Sequence, residues 1–337
     1  MKPAKLLFGS LCLVFGVATA LAQAPTAKFT VEQEKDGIVI KIDGQLFTKY
    51  VTGDTVGNKP YFYPVIGPTG KGMTRAYPMA DVPGEAQDHP HHRSFYFGHQ
   101  FINDNDTWHE ELTLKERAKG DAAKLAELKK TLGVTKHTET VKAEAMGDHA
   151  VLVVKSDYLD ASGNRMAGDT RTFAFRVAAD GSRIVDADIV FTAVMDTVKF
   201  SDAKDAGFSI RVAHSISVDA KQGGRIANSN GDIDKDAWGK RATWCDFNGP
   251  VDGGKLGIAI LNHPSSFRHP TPWHARTYGL FTSNPFGLKS VAGEAEKGDV
   301  ILKKGESFTL RHRVIFHKGD EKDAKIAEAF AAYAGEK

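Results

Sequence analysis

The sequence predicts an all-β fold, a two-layer β-sandwich with a few peripheral helices. Two observations carry that prediction. Short segments alternating apolar and polar residues recur along most of the chain, and Gly, Asp and Asn turn signals separate them. Only two stretches show helical spacing instead, and nothing marks a domain boundary, an internal repeat or a low-complexity tract.

The chain opens with Lys2 and Lys5, an apolar run from Leu6, and Ala20-Leu21-Ala22 before Gln23. This is the pattern of a secretory signal with a small-x-small cleavage site, and the run is too short for a good membrane span. Cys12 lies inside it behind Leu11, where a lipoprotein site needs a small residue. The expectation is a signal peptide over residues 1–22, a single sandwich domain over 23–337, and a periplasmic or secreted protein. Removing Lys2 and Lys5 leaves 42 basic residues against 42 acidic ones. A chain without net charge has no global field for nucleic acid or an anionic membrane. Cys245 is then the only cysteine, so no internal disulfide is available. Roughly three quarters of the unfolded surface is buried at this length, and the fold can stand without one.

Residues 29–42 alternate and carry the turn pair Asp36-Gly37, with a second pair at Asp43-Gly44, which reads as an opening hairpin. Further strands are expected over 150–158, 170–177 before Asp180-Gly181, 184–193, 208–218, 257–261 and 307–316. Asp121 can cap a helix running to about Thr131, with Leu125, Leu128 and Leu132 at helical spacing. Asp323 can start another, with Ile326, Phe330 and Tyr333 on one stripe. Both are expected to cover the sheets.

Five of the 13 histidines fall between residues 89 and 109. In Asp88-His89-Pro90-His91-His92-Arg93, Pro90 disfavours helix, and the aromatic run after Arg93 favours a strand. Alternation then places His91, Arg93, Phe95, Phe97 and His99 on one face. Three readings stand: one divalent metal at His89, His91 and His99, metal-free acid/base or binding chemistry, and structural hydrogen bonding. Trp108-His109-Glu110-Glu111 suits a sugar site through its indole and carboxylates, or a solvated helix start. A second rich segment spans residues 262–279, where three prolines impose an irregular loop. After Pro272, alternation sets His274, Arg276 and Tyr278 in one row, an acid/base group, a fixed cation and a phenol. Arg211 faces away from the apolar row around it and is a further candidate. His214 and His312 sit in apolar rows and are expected in the core. Residues 232–236 imitate the start of a calcium loop, but Ala237 and Thr243 stand where its glycine and glutamate belong, so they read as a turn. No P-loop, dinucleotide-binding fingerprint or GxSxG elbow is present.

The histidine run at residues 88–99, the segment from Trp238 to Gly249, and residues 263–287 ending in Asn284-Pro285-Phe286-Gly287 together resemble one bacterial family. It is labelled methane oxygenase PmoA-like and is otherwise of unknown function. The resemblance implies an exported β-rich protein similar in architecture to the galactose mutarotase-like supersandwiches, of a kind often encoded near sugar oxidoreductases in glycan-degradation systems. Residues 133–137, ending in His137, resemble a further family segment, here displaced by the Asp121 helix. The expected function is a lyase, hydrolase or epimerase acting on a sugar or keto-sugar glycoside. His91 and His274 would transfer protons. Arg93 and Arg276 would hold substrate oxygens, with His89, His92, His99, Trp108, Arg211 and Tyr278 lining the site. The alternative is a non-catalytic glycan-binding protein of such a system.

Overall fold

The computed structural model describes residues 27–54 and 57–336. The expected export signal and Cys12 lie outside the described residues. Alternation becomes strand at once: β1 (Phe29–Glu34), β2 (Gly37–Ile42) and β3 (Gln45–Val51) form a meander. The two-residue link between β2 and β3 is Asp43-Gly44, with φ of 50° and 75°. Positive φ at both positions is what a type I′ hairpin requires, and Asp-Gly is among the pairs that supply it.

The next elements are β4 (Tyr61–Val65), β5 (Phe95–His99), α1 (Glu111–Ala118), α2 (Ala122–Lys129), β6 (Val134–Ala145), β7 (His149–Leu159), β8 (Arg165–Val177) and β9 (Arg183–Ala193). They are followed by β10 (Thr197–Phe200), β11 (Ala206–Arg211), β12 (Arg225–Asn228), β13 (Trp244–Val251), β14 (Gly254–Asn262), β15 (Trp273–Ala275), β16 (Leu280–Ser283), β17 (Val300–Lys303), β18 (Ser307–Lys318) and α3 (Ile326–Ala334). Two antiparallel sheets of eight strands result, ordered β1-β2-β3-β4-β5-β11-β16-β15 and β12-β13-β14-β18-β9-β8-β7-β6, with β10 and β17 paired beside them.

The sheets meet through aromatic rings. Phe62 packs on Phe173 at 4.8 Å, Phe97 on Phe191 at 4.7 Å, and Phe281 on Phe247 at 4.4 Å between centroids. In the first sheet the registers align Phe62, Phe95, Ile210, Phe281 and Ala275 across five strands, all facing the core. Period two sends the neighbouring row, Tyr61, Tyr96, Ser209, Thr282 and His274, to the opposite face. That outer face carries a second apolar cluster, Tyr61, Tyr96, Trp108 and Leu280, flanked by Val51, Tyr63, Met79 and Tyr278.

Three expectations need correction. The strand expected over 208–218 ends at Arg211, and a 3-10 turn follows at His214–Ile216. His214 therefore sits half-buried on a surface groove beside Pro250 and Asp252, outside the core. Asp121 does cap α2, accepting from the Lys124 amide at 3.0 Å, but no α2 residue is buried, so this helix covers no sheet. The C-terminal helix α3 begins at Ile326, later than Asp323, and does bury Ile326 and Tyr333. His312 is a core residue as expected, stacked on Phe208 at 4.6 Å with Ser283 Oγ 2.7 Å from its Nε2. Among the described residues no helix is long and apolar enough to cross a membrane.

Candidate active site

Pro90 keeps its segment out of helix, but β5 begins only at Phe95, after a turn. The His92 amide donates to the His89 carbonyl at 3.0 Å, and His89 takes a left-handed φ of 45°. Buried Arg75 staples the turn, donating to the carbonyls of Asp88 at 2.8 Å and His89 at 3.0 Å and to the Asp88 carboxylate. The alternation expected from His91 onward thus holds only from Phe95, so His91 and Arg93 do not share a row with His99.

His99 points into the core. Its ring meets Phe286 at 4.5 Å and Phe200 at 5.4 Å, neither nitrogen has a hydrogen-bond partner, and burial pushes its pKa down to about 3. The His89, His91, His99 metal grouping is therefore not assembled. Among the described residues, no group of three or more His, Cys, Asp or Glu is arranged to hold a metal ion.

His89 sits on Asp88, and His92 and His91 pack behind it. The Asp88 carboxylate accepts from Arg75, from Arg211 Nη2 at 2.8 Å, and lies 2.9 Å from His89 Nδ1. Burial works to raise its pKa, but His89, Arg211 and Arg75 outweigh it and hold the group well below the ordinary carboxylate value. An ionised carboxylate only accepts, so His89 carries a proton on Nδ1 and presents Nε2 outward, on a side chain 42% exposed. The His89 ring stacks on His92 at 4.8 Å and on Tyr278 at 5.0 Å. His92 Nδ1 accepts from Arg211 Nη1 at 3.1 Å, which puts the His92 proton on Nε2. His91 Nδ1 lies 2.9 Å from Thr113 Oγ1. Burial first, then neighbouring cationic groups, holds both His91 and His92 well below the ordinary imidazole value, so both stay neutral.

The second segment arrives from the other edge of the sheet. Strand β15 is only three residues long, and a tight turn links it to β16: the Arg276 amide donates to Leu280 O and the Gly279 amide to Arg276 O, both at 2.8 Å. His274, Arg276 and Tyr278 do lie together, held by this turn rather than by strand alternation. The Arg211 guanidinium sits 4.7 Å over Tyr278, Arg276 packs 4.8 Å over Trp238 and 5.5 Å over Tyr278, and Trp238 meets the His274 ring at 4.8 Å. Such cation–π contacts contribute on the order of 0.5–2 kcal/mol each and fix the guanidinium planes. His274 Nδ1 donates to Lys204 O at 2.8 Å, leaving Nε2 as an acceptor, and burial pushes its pKa down to about 3. Burial likewise pushes Tyr278 up to about 12, so it remains a neutral phenol. An open groove of about 240 Å³ runs beside Trp238, Ala275, Arg276 and Thr277.

Besides His99, two more expected site residues lie elsewhere. Arg93 is 2% exposed and engaged on every nitrogen: Nε and Nη2 with Glu110, Nη1 with Asp54 at 3.0 Å. Glu110 also accepts from Lys59 Nζ at 2.6 Å, with both side chains fully buried. Trp108 is fully buried, packed on Tyr96 at 5.3 Å and over Gly98, where an added Cβ would lie 2.8 Å from Cε3. Its faces are covered by protein, so it builds the floor instead of stacking on a ligand. Conversely, the roles of Arg75, Asp88 and Trp238 were not legible. Trp238 lay in a segment marked only by family likeness, and for Arg75 no local signal exists.

A family model described as a family of unknown function, DUF6807, matches residues 37–331. The resemblance seen in the sequence is to a family of unknown function, and at that level the two agree. No curated protein matches this chain. Among solved structures, a galactose mutarotase related enzyme from Lactobacillus acidophilus is 9% identical, covering 86% of this chain and 97% of its own, with a TM-score of 0.32. A GalM/aldose epimerase homologue from C. elegans is 8% identical, covering 87% and 99%, with a TM-score of 0.30.

Proposed function

The chain belongs to DUF6807, a family of unknown function, and from that premise we propose that it is a carbohydrate-active enzyme in which His89 moves a proton and Asp88 orients it. The carrying observation is the Asp88–His89 pair: an exposed imidazole with its Nδ1 on an anchored carboxylate and its Nε2 available to a substrate. Lysis, hydrolysis and epimerisation of a sugar all need such a base or acid at the reacting position.

The surroundings suit a polyhydroxylated ligand. Exposed Arg276 is aimed by Trp238 and Tyr278, which fits its guanidinium to a carbonyl or hydroxyl oxygen. Of the proton-transfer pair expected from the sequence, buried His274 backs Trp238 at 4.8 Å, and His91 buttresses His92 at 4.5 Å. The groove, at about 240 Å³, lies just under the roughly 300–1,000 Å³ of typical ligand pockets and fits a single sugar unit. The signal expected over residues 1–22 would deliver the enzyme to the periplasm or outside the cell. The keto-sugar glycosides implied by the family resemblance are the first substrates to try.

The test is to incubate wild type, His89→Ala and His274→Ala with glycosides and their keto derivatives in deuterated buffer, following products and solvent deuterium in the recovered sugar by NMR. Product or exchange in the wild type and its loss in His89→Ala are expected. Full activity in His89→Ala would overturn the assignment. Saturable binding without turnover or exchange would favour the glycan-binding protein instead.

A further inference from the structure

The outer face of the first sheet holds a second opening. An open cleft of about 480 Å³ lies over β3 and β4, lined by Lys49, Asp54, Tyr61, Tyr63, Met79 and Leu112 among others. Tyr61 and Tyr63 are two residues apart on β4 and share the outward face. The Tyr61 hydroxyl donates to Asp54 Oδ2 at 2.8 Å and Arg93 Nη1 donates to the same oxygen at 3.0 Å, which holds the carboxylate in one orientation. At the rim, Lys49 bridges Glu34 and Asp36 at 2.7 Å. The half-buried Tyr63 ring, a fixed carboxylate acceptor and an ammonium donor form the set that recognises a sugar ring, with its apolar C–H face and ring of hydroxyls.

Two features tie this cleft to the His89 site. The apolar cluster beneath it is continuous, running from Val51 and Tyr63 through Tyr96 and Trp108 to Tyr278. A single segment also walls both openings: Pro78 and Met79 line the cleft, while Asp88 and His89, tied back to Arg75, form the dyad. From β4 to β11, whose Arg211 binds Asp88, the sheet steps across two strand spacings, roughly 10 Å at about 4.8 Å each. That span is too long for one sugar and suits a short chain of them.

We propose that the Tyr61–Tyr63 cleft is a distal subsite for a sugar unit of the same substrate, so that the protein acts on a glycan chain rather than on a free monosaccharide. This deepens the carbohydrate reading of the His89 site and rests on it. The experiment compares kcat/KM on matched disaccharides and hexasaccharides of the active glycan series for wild type, Tyr63→Ala and Lys49→Ala, each checked for folding by circular dichroism. Wild type should prefer the hexasaccharide. Tyr63→Ala should lower the hexasaccharide-to-disaccharide ratio about tenfold, the scale of one lost aromatic contact, and Lys49→Ala should lower it less, mainly through KM. Crystals soaked in the hexasaccharide should show a ring against Tyr63. A ratio unchanged in both variants, or a wild type indifferent to chain length, overturns the distal subsite while leaving the His89 reading intact. If no oligosaccharide is bound or turned over by any form, both fall together.

Discussion

His89 Nδ1 lies 2.9 Å from Asp88 Oδ2, and the residue that holds this contact adopts a φ of 45°. A left-handed conformation costs a residue with a Cβ about 1–2 kcal/mol relative to glycine. His89→Gly should therefore be about 1 kcal/mol more stable than His89→Ala in denaturant unfolding. Both variants should lose turnover on the order of 10²- to 10⁴-fold with little change in binding. Equal stability of the two would show that the strain is absent.

Glu110 is shared by two buried cations, Lys59 and Arg93. Arg93 keeps Asp54, but Lys59 would be left with the Asn58 side-chain oxygen at 3.1 Å and the Tyr96 ring at 5.5 Å, neither of them charged. Breaking a buried pair by removing one partner costs about 3–5 kcal/mol. Glu110→Gln should lose that much in urea unfolding, whereas a loss below about 1 kcal/mol would mean that water reaches the cluster.

Stability should fall in acid for a reason separate from the carboxylates. Burial pushes His99, His274 and His312 from an ordinary 6.5 down to about 3. Between those values the unfolded chain binds protons that the folded protein refuses, so stability rises with pH there and drains away as pH falls from about 6.5 towards 3. Each ring contributes up to about 1.4 kcal/mol per pH unit. His317 runs the other way: burial would lower it, but Asp246 at 2.7 Å raises it, so its contribution is full below 6.5 and lost as pH rises through the raised value. The three depressed rings, together with the depressed His91 and His92, outnumber it. His99→Phe removes one of them and its two unpartnered nitrogens, so it should match or exceed wild type at pH 7 and show a shallower acid limb.

Gly98 is the surface on which Trp108 lies, with 2.8 Å left for a Cβ before Trp108 Cε3. Gly98→Ala should cost about 1–3 kcal/mol as the indole is displaced. The displacement should also change the tryptophan fluorescence. An unchanged melting temperature would mean that the indole can move freely, against the packing seen here.

Local chemistry determined a good deal from the sequence alone. Period-two alternation and Asp-Gly turns set the strands of the β-sandwich, because side-chain direction along a strand depends only on parity and the turn pair on its own φ preferences. Residue chemistry singled out His89, Arg211, Arg276 and Tyr278 as site candidates, and these do assemble on one sheet face. Parity failed where the chain was not strand. It could not see that residues 89–92 turn, so His99 was grouped with His91 although the two point to different layers. The tertiary structure alone decided which polar groups are used up. Arg93 looked like a substrate clamp until Glu110 and Asp54 were brought onto it, from residues 17 and 39 positions away. Asp88 became the hub because Arg75 and Arg211, 13 and 123 positions away, close on one carboxylate. A guanidinium is free or neutralised, and a histidine is an acid, a base or a core ring, according to partners that only the packed sheets supply, since charge and hydrogen bonding act through space and not along the chain.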